Sequence, residues 1–247
     1  MKMKKIAIVT GSSQGLGFNL AESFLKLNYI VVGISRSKNE ILHDNYYFFK
    51  HDLSTKTDIS TKLKNFLIKH KISSPTLEHV TLINNAASIL PINYFHKLNL
   101  EQIQASYQLN LHAPMMLSHF VINHFQKKSK NILICHISSG AAFHPLINWS
   151  HYCVMKSGLK MLSDCLNKDY VNDRNIKSIN FIPGIMDTHM QKSIRKQKAG
   201  TFQNVLKFRE YKKNDQLLSP EFVAHKLCHL LANPNQIIKG EYSINEL

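Results

Sequence analysis

Tyr152 and Lys156 stand four residues apart in a stretch whose apolar residues recur at helical spacing, so both side chains project from one helix face. A free phenol, with a pKa near ~10, shuttles protons poorly at neutral pH. An ammonium beside it favours the phenolate and draws the pKa toward the range where general acid–base transfer works best. Tyr-x-x-x-Lys also arises by chance in many helices. Ser139, thirteen residues before Tyr152 at the end of an apolar run, makes coincidence a poor account of the group. A second stretch, Thr10-Gly11-Ser12-Ser13-Gln14-Gly15-Leu16-Gly17, follows the apolar run Ile6–Val9 and leads into a helical pattern. Gly11 permits a tight turn off a strand, Gly15 lets backbone approach a pyrophosphate, and Gly17 lets helix pack on strand. Phosphates there would face free N–H groups and the positive end of the helix dipole. Ordinary turn glycines are the alternative, and the strand–loop–helix context argues for a nucleotide.

Something must position these two stretches. Short apolar runs recur at Ile6–Val9, Ile30–Ile34, Val80–Ile83, Ile132–Ile137, Ile176–Ile182 and Ile237–Ile244. Most are nearly continuous in apolar residues, as in strands covered on both faces. Helical patterns lie between them: Leu20, Phe24 and Leu27 share a face, as do Ile59, Leu63 and Phe66, and later Val154, Leu159, Leu162 and Leu166. Ser219-Pro220-Glu221 opens a helix with an N-cap serine and Pro at the first position, and Asn233-Pro234 ends it near Ala232. Alternating strands and helices predict an α/β fold, a Rossmann-like doubly wound parallel sheet flanked by helices. With no Pro/Gly/Ser linker and no internal repeat, residues 1–247 read as a single domain.

Composition narrows the class. Hydrophobic residues at 44% and charged residues at 19% are ordinary for a globular chain. The basic start has too short an apolar stretch for a secretory signal, and no run is long enough to cross a bilayer; a cytoplasmic protein without membrane contact is expected. Cys135, Cys153, Cys165 and Cys228 are widely spaced beside apolar residues and read as buried thiols. His225 and His229 lie four apart without a third ligand, so no metal is expected. The net charge of +15 permits nucleic-acid contact, but Lys and Arg are spread along the chain and no binding motif accompanies them.

Taken in order, the motifs resemble the short-chain dehydrogenase/reductase family. Thr-Gly-x-x-x-Gly-x-Gly is followed by Asn84-Asn85-Ala86-Ala87, by Asn110, by Ser139 with Tyr152 and Lys156, and by Pro183-Gly184. The resemblance implies an NADP-binding oxidoreductase acting on a small carbonyl substrate, commonly a homodimer or homotetramer. It implies that Ser139 bonds the substrate carbonyl, that Tyr152 gives the proton, that Lys156 also holds the nicotinamide ribose, and that Asn110 anchors a water-linked relay. Contacts to the cofactor are expected from Gly11, Ser13, Gln14, Gly15, Leu16, Gly17, Leu53, Asn85, Ala86, Pro183, Gly184 and Thr188. NADP(H) is expected over NAD because Ser35 and Arg36 stand at the end of the second strand, where an NAD enzyme places a carboxylate. Ser donates to a phosphate and Arg pairs with it; a solvated loop is the alternative for Arg36. Asp52 matches an adenine-contacting acid, with helix capping as its alternative.

Asn148-Trp149-Ser150-His151-Tyr152-Cys153 and the stretch from Pro183 to Gln191 resemble the sepiapterin reductase and benzil reductase branch, which reduces vicinal dicarbonyls or a pterin side chain. Trp149, the single Trp, reads either as core packing or as a pocket wall, and Ile185 as a further substrate contact. A pterin needs a carboxylate near the C-terminus; Glu246 is the candidate, and the position fits poorly. Residues 189–216 are expected to form a flap over the substrate, with a basic cluster that either recruits an acidic substrate or is merely solvated. A non-catalytic NADP-binding regulator would share the fold, but would have no use for Ser139, Tyr152 and Lys156 together.

Overall fold

The computed structural model describes residues 4–72, 76–173, 175–199, 202 and 204–247. Seven strands form one parallel sheet: β1 (Lys4–Thr10), β2 (Ile30–Ser35), β3 (Tyr46–Lys50), β4 (Leu77–Asn84), β5 (Ser129–Ile137), β6 (Ile176–Ile182) and β7 (Glu241–Ser243). Their order is β3-β2-β1-β4-β5-β6-β7. Among the described residues eight α-helices accompany them: α1 (Gly15–Lys26), α2 (Ile59–Lys69), α3 (Leu100–Tyr107), α4 (Ala113–Phe125), α5 (Ser150–Asp169), α6 (His189–Arg195), α7 (Val205–Lys213) and α8 (Pro220–Leu231).

Strand residues alternate between faces, so each apolar run feeds two cores. In β1, Ala7 and Val9 join Leu20 and Phe24 of α1 and Leu227 of α8. Ile6 and Ile8 join Leu63 and Leu67 of α2 and Val121 and Phe125 of α4. The expected start of α8 is present: the Ser219 hydroxyl accepts from Phe222 N at 3.1 Å, with Pro220 in the first turn. No helix among the described residues is long and apolar enough to cross a membrane.

Several expected boundaries move. Leu27 lies past the end of α1 and is exposed, while Leu25 takes its place on the buried face. Val154 points outward from α5, because the buried face is set by Tyr152, Met155, Lys156, Leu159 and Ser163. Cys165 is likewise exposed, whereas Cys135 and Cys228 are buried. The last strand is confined to three residues of the expected Ile237–Ile244 run. The strand order reverses between β1 and β4, and the loops leaving those two strands open a crevice at the carboxyl edge, the usual ligand position in such sheets.

Candidate active site

The crevice is built first from backbone. Gly11 and Gly15 both adopt left-handed φ, +69° and +59°, which side chains disfavour. A methyl on Gly17 would overlap the Gly11 carbonyl oxygen, so the tight strand–helix turn requires glycine at that position. The loop is tied to the β4 exit. Thr10 Oγ1 accepts from Asn85 N and Ala86 N, both at 2.9 Å, and Asn85 Nδ2 donates to Thr10 O at 2.9 Å. Gln14 stands extended before α1 without a side-chain cap, and no acidic residue occupies the first turn. The helix N-terminus therefore presents uncapped N–H groups and the positive dipole end, a fit for a pyrophosphate. Across from Gly15, Thr188 Cγ2 would lie 3.7 Å from an added methyl, so the loop after β6 closes this side. Gly184 supplies its turn at φ +72°, after the buried Pro183.

At the end of β2, Ser35 is buried and donates its hydroxyl to Ser37 O at 2.8 Å; Arg36 is exposed. Asp52 accepts from Ser54 N and Ser54 Oγ. Burial opposes its ionisation, but those bonds and the nearby Arg36 guanidinium hold its carboxyl below the usual range. The capping alternative for Asp52 is answered: α2 is capped by Asp58, which accepts from Thr61 N at 3.1 Å. Leu53 packs into the core under the sheet. Asn39 and Tyr46, which sequence spacing does not single out, hydrogen-bond onto this loop pair.

Ser139, Tyr152 and Lys156 converge. Ser139 follows β5 in extended conformation, and its hydroxyl accepts from Ala141 N at 3.2 Å. Tyr152 and Lys156 sit one turn apart on α5, both buried. Lys156 Nζ donates to Ile137 O at 2.7 Å and lies 5.6 Å from the Tyr152 ring centroid. Burial drives the ammonium down to about 8. Burial also raises the Tyr152 phenol above its ordinary value, and the Ser139 hydroxyl only partly offsets this. The phenol therefore moves opposite to the depression expected from Lys156: burial, which disfavours the charged form, is the dominant cause. The buried His136 is pushed down to about 3 by burial and by Lys156, so it is neutral near the site. Asn110 lies in a π-turn, Gln108–His112, between α3 and α4. Its amide accepts from Ser88 N and donates to Ser88 O and Ser106 Oγ, which pins the loop after β4.

The segment expected to form a flap follows β6; its residues 200, 201 and 203 are outside the described residues. It carries α6 and α7, packed on Trp149. Trp149 is edge-on to Tyr152 at 5.9 Å, stacked on Phe202 at 5.4 Å and tilted against Phe208 at 5.7 Å. Asp187 fastens the two helices, with Lys212 at 2.9 Å and Arg195 at 3.4 Å, and these cations hold its carboxyl below the ordinary range. Part of the basic cluster is therefore structural. Ile185 is half-buried, and its carbonyl accepts from Leu218 N at 2.9 Å. His144 is exposed and His151 buried, and among the described residues no group of three metal-ligating side chains forms.

Residues 5–199 match the short chain dehydrogenase family. The chain is 33% identical over 228 residues to a benzil reductase ((S)-benzoin forming) of Bacillus subtilis, covering 92% of this chain and 93% of that protein. A benzil reductase of Bacillus cereus is 32% identical over 235 residues, covering 92% and 94%. In three dimensions it is similar to a short chain dehydrogenase/reductase of Saccharomyces cerevisiae, with a TM-score of 0.81 at 22% identity over 97% of this chain and 95% of that one.

Proposed function

The chain belongs to the short-chain dehydrogenase family, and from that premise we propose that it is an NADPH-dependent reductase of vicinal diketones with Tyr152 as proton donor. The observation that carries the reading is the convergence of Ser139, Tyr152 and Lys156 beneath an aromatic lid, in a chain one-third identical to benzil reductases. When bound, the nicotinamide supplies hydride to the carbonyl carbon. The glycine loop and the start of α1 would hold the pyrophosphate, with Ser13, Gln14 and Leu16 offering backbone, while Asn85, Ala86, Pro183, Gly184 and Thr188 would line the other side. Ser139 donates to the substrate oxygen, and Tyr152, protonated at neutral pH, delivers the proton there. Lys156, charged below about pH 8, steadies the phenolate that remains. Asn110 holds the loop at Ser88 and anchors the relay that returns a proton to the phenol.

Trp149, 4% exposed and packed on Phe202 and Phe208, and Ile185 would back the apolar wall that an aryl group meets. An aryl 1,2-diketone is therefore reduced at one carbonyl, faster than an isolated aryl ketone of similar size and with a lower KM than diacetyl. NADPH absorbance loss across that panel, with sepiapterin included, is the test; no turnover of any diketone removes the reading. Glu246 accepts from Lys239 Nζ at 3.0 Å and from Ser243 N at 2.9 Å, so a pterin would compete with a cation already paired to this carboxylate.

For the cofactor, Arg36 would pair with the 2′-phosphate, and Ser35 would exchange its bond to Ser37 O for one to that group. Ser35→Asp with Arg36→Ala should move relative specificity toward NADH by about one to two decades, since a charge-assisted contact contributes roughly 1.5–3 kcal/mol. Equal use of NADH and NADPH by the unaltered enzyme refutes this choice. Met115 on α4 and Val154 and Met161 on α5 are exposed apolar residues. We assign that face to a second copy of the chain, as a homodimer or homotetramer; sedimentation as a monomer at micromolar concentration excludes it.

A further inference from the structure

Gly33 sits inside β2 without left-handed φ, so no turn accounts for it. A methyl at this position would overlap Tyr46 Oη and meet Ser12 Oγ at 2.6 Å. A glycine within a strand often marks such a close approach. Here three segments converge. Tyr46, at the start of β3, reaches across β2, and its phenol accepts from Asn39 Nδ2 at 2.7 Å. The same phenol lies 3.4 Å from Ser12 Oγ. Asn39 Nδ2 also donates to Ser12 O at 2.8 Å, while its Oδ1 accepts from Ile41 N at 3.2 Å. Ser12 belongs to the glycine loop and is fully buried; Asn39 lies three residues after Arg36.

From this geometry we infer that Tyr46 and Asn39 clamp the Arg36 turn onto the glycine loop, and that Tyr46 is a positioning residue for selection of NADPH over NADH. The inference rests on the reading of Arg36 given above. An exposed arginine must surrender side-chain freedom to grip a phosphate, and a pre-set turn reduces that loss. Asn39 commits both amide hydrogens and its oxygen, so one side chain cross-links the two loops. The phenol receives one of those hydrogens and can give its own to Ser12. Removing the phenolic oxygen leaves an Asn39 donor without its partner and loosens the turn that bears Arg36. A brace of the glycine loop alone would serve both cofactors equally, because the pyrophosphate is common to them. A clamp on the Arg36 turn favours the one that carries a 2′-phosphate.

The experiment is a fluorescence titration of NADPH and of NADH on the full chain, as wild type, Tyr46→Phe and Asn39→Ala, each checked for folding by thermal melt. Tyr46→Phe keeps the ring and should weaken NADPH about fivefold and NADH about twofold or less, with turnover at saturating NADPH unchanged. Asn39→Ala, which cuts the bonds to Ser12 O and to Tyr46 Oη, should lower the NADPH-to-NADH preference further. A wild type without preference sinks both this inference and the reading of Arg36. A wild-type preference that folded Tyr46→Phe and Asn39→Ala leave unaltered sinks the clamp alone.

Discussion

Tyr152→Phe should lower turnover of a well-reduced diketone by about 10²-fold or more, with NADPH affinity nearly intact. The substitution preserves the ring, and with it the edge contact to Trp149 at 5.9 Å and the Lys156 ammonium 5.6 Å from its centroid. What disappears is the single hydroxyl beside Ser139. A proton donor must carry its proton when substrate arrives; an ordinary phenol near ~10 already does so at neutral pH, and burial extends that range upward for Tyr152. Its neighbour then limits the pH range. Lys156 loses its charge as pH climbs through about 8, so the charge that steadies a departing proton's phenolate fades and wild-type kcat/KM should fall above that pH. Single-turnover rates with prebound NADPH separate the chemical step from binding. A Phe variant with wild-type turnover refutes the assignment of Tyr152.

Those residues were legible in the sequence because their information is local. The spacing of Tyr152 and Lys156 specifies a shared helix face wherever the helix lies, and the Gly11–Gly17 loop carries its turn chemistry within one strand–helix junction. The strands β1, β4 and β5 were legible for a related reason: burial on both faces leaves nearly unbroken apolar runs. β3 was not delimited, since an edge strand written Tyr-Tyr-Phe-Phe-Lys is only half-buried and resembles a loop rich in aromatics. Adjacency could be read, but depth could not. The phenol's pKa therefore moves opposite to the expectation drawn from the Lys156 spacing, because desolvation by the surrounding fold is the largest influence on it.

Non-local pairings stayed hidden. Phe202 meets Trp149 across some fifty residues of chain, and Tyr46 meets Ser12 only because β3 pairs with β2 in the register Val31↔Tyr46. One local signal did exist. Gly33, isolated within an apolar strand, asks what approaches so closely that no methyl fits. The basic segment left two readings open, an acidic substrate or plain solvation, and a non-local pairing adds a third for part of it: Arg195 and Lys212 are engaged with Asp187.

Lys156→Met should abolish most activity while making the folded protein more stable at neutral pH. Lys156 is buried, and its ammonium donates to Ile137 O at 2.7 Å, with no carboxylate paired to it among the described residues. Holding the native pKa at about 8 against 10.5 for a free lysine corresponds to roughly 3 kcal/mol of destabilisation at pH 7. Methionine fills a similar volume without the charge, and the Ile137 carbonyl left unpaired returns about 1–2 kcal/mol of that gain. A net increase of roughly 1–2 kcal/mol raises Tm by about 2–8 °C for a chain of this size. The sign with pH follows from proton counts. Below about pH 8 both folded and unfolded wild type hold the proton, and the burial penalty is complete. Between 8 and 10.5 the folded state has released it while the unfolded state has not, so wild-type stability rises with pH. The advantage of the Met variant should therefore be largest below pH 8 and shrink toward pH 10. Thermal unfolding of both proteins at pH 7 and pH 10 is the check; a variant less stable at pH 7, or an advantage that does not shrink, would show that the charge is not what this site holds at a disadvantage. Such a lysine persists in a fold it weakens because the same ammonium, beside Tyr152 and away from water, is what the proton transfer requires.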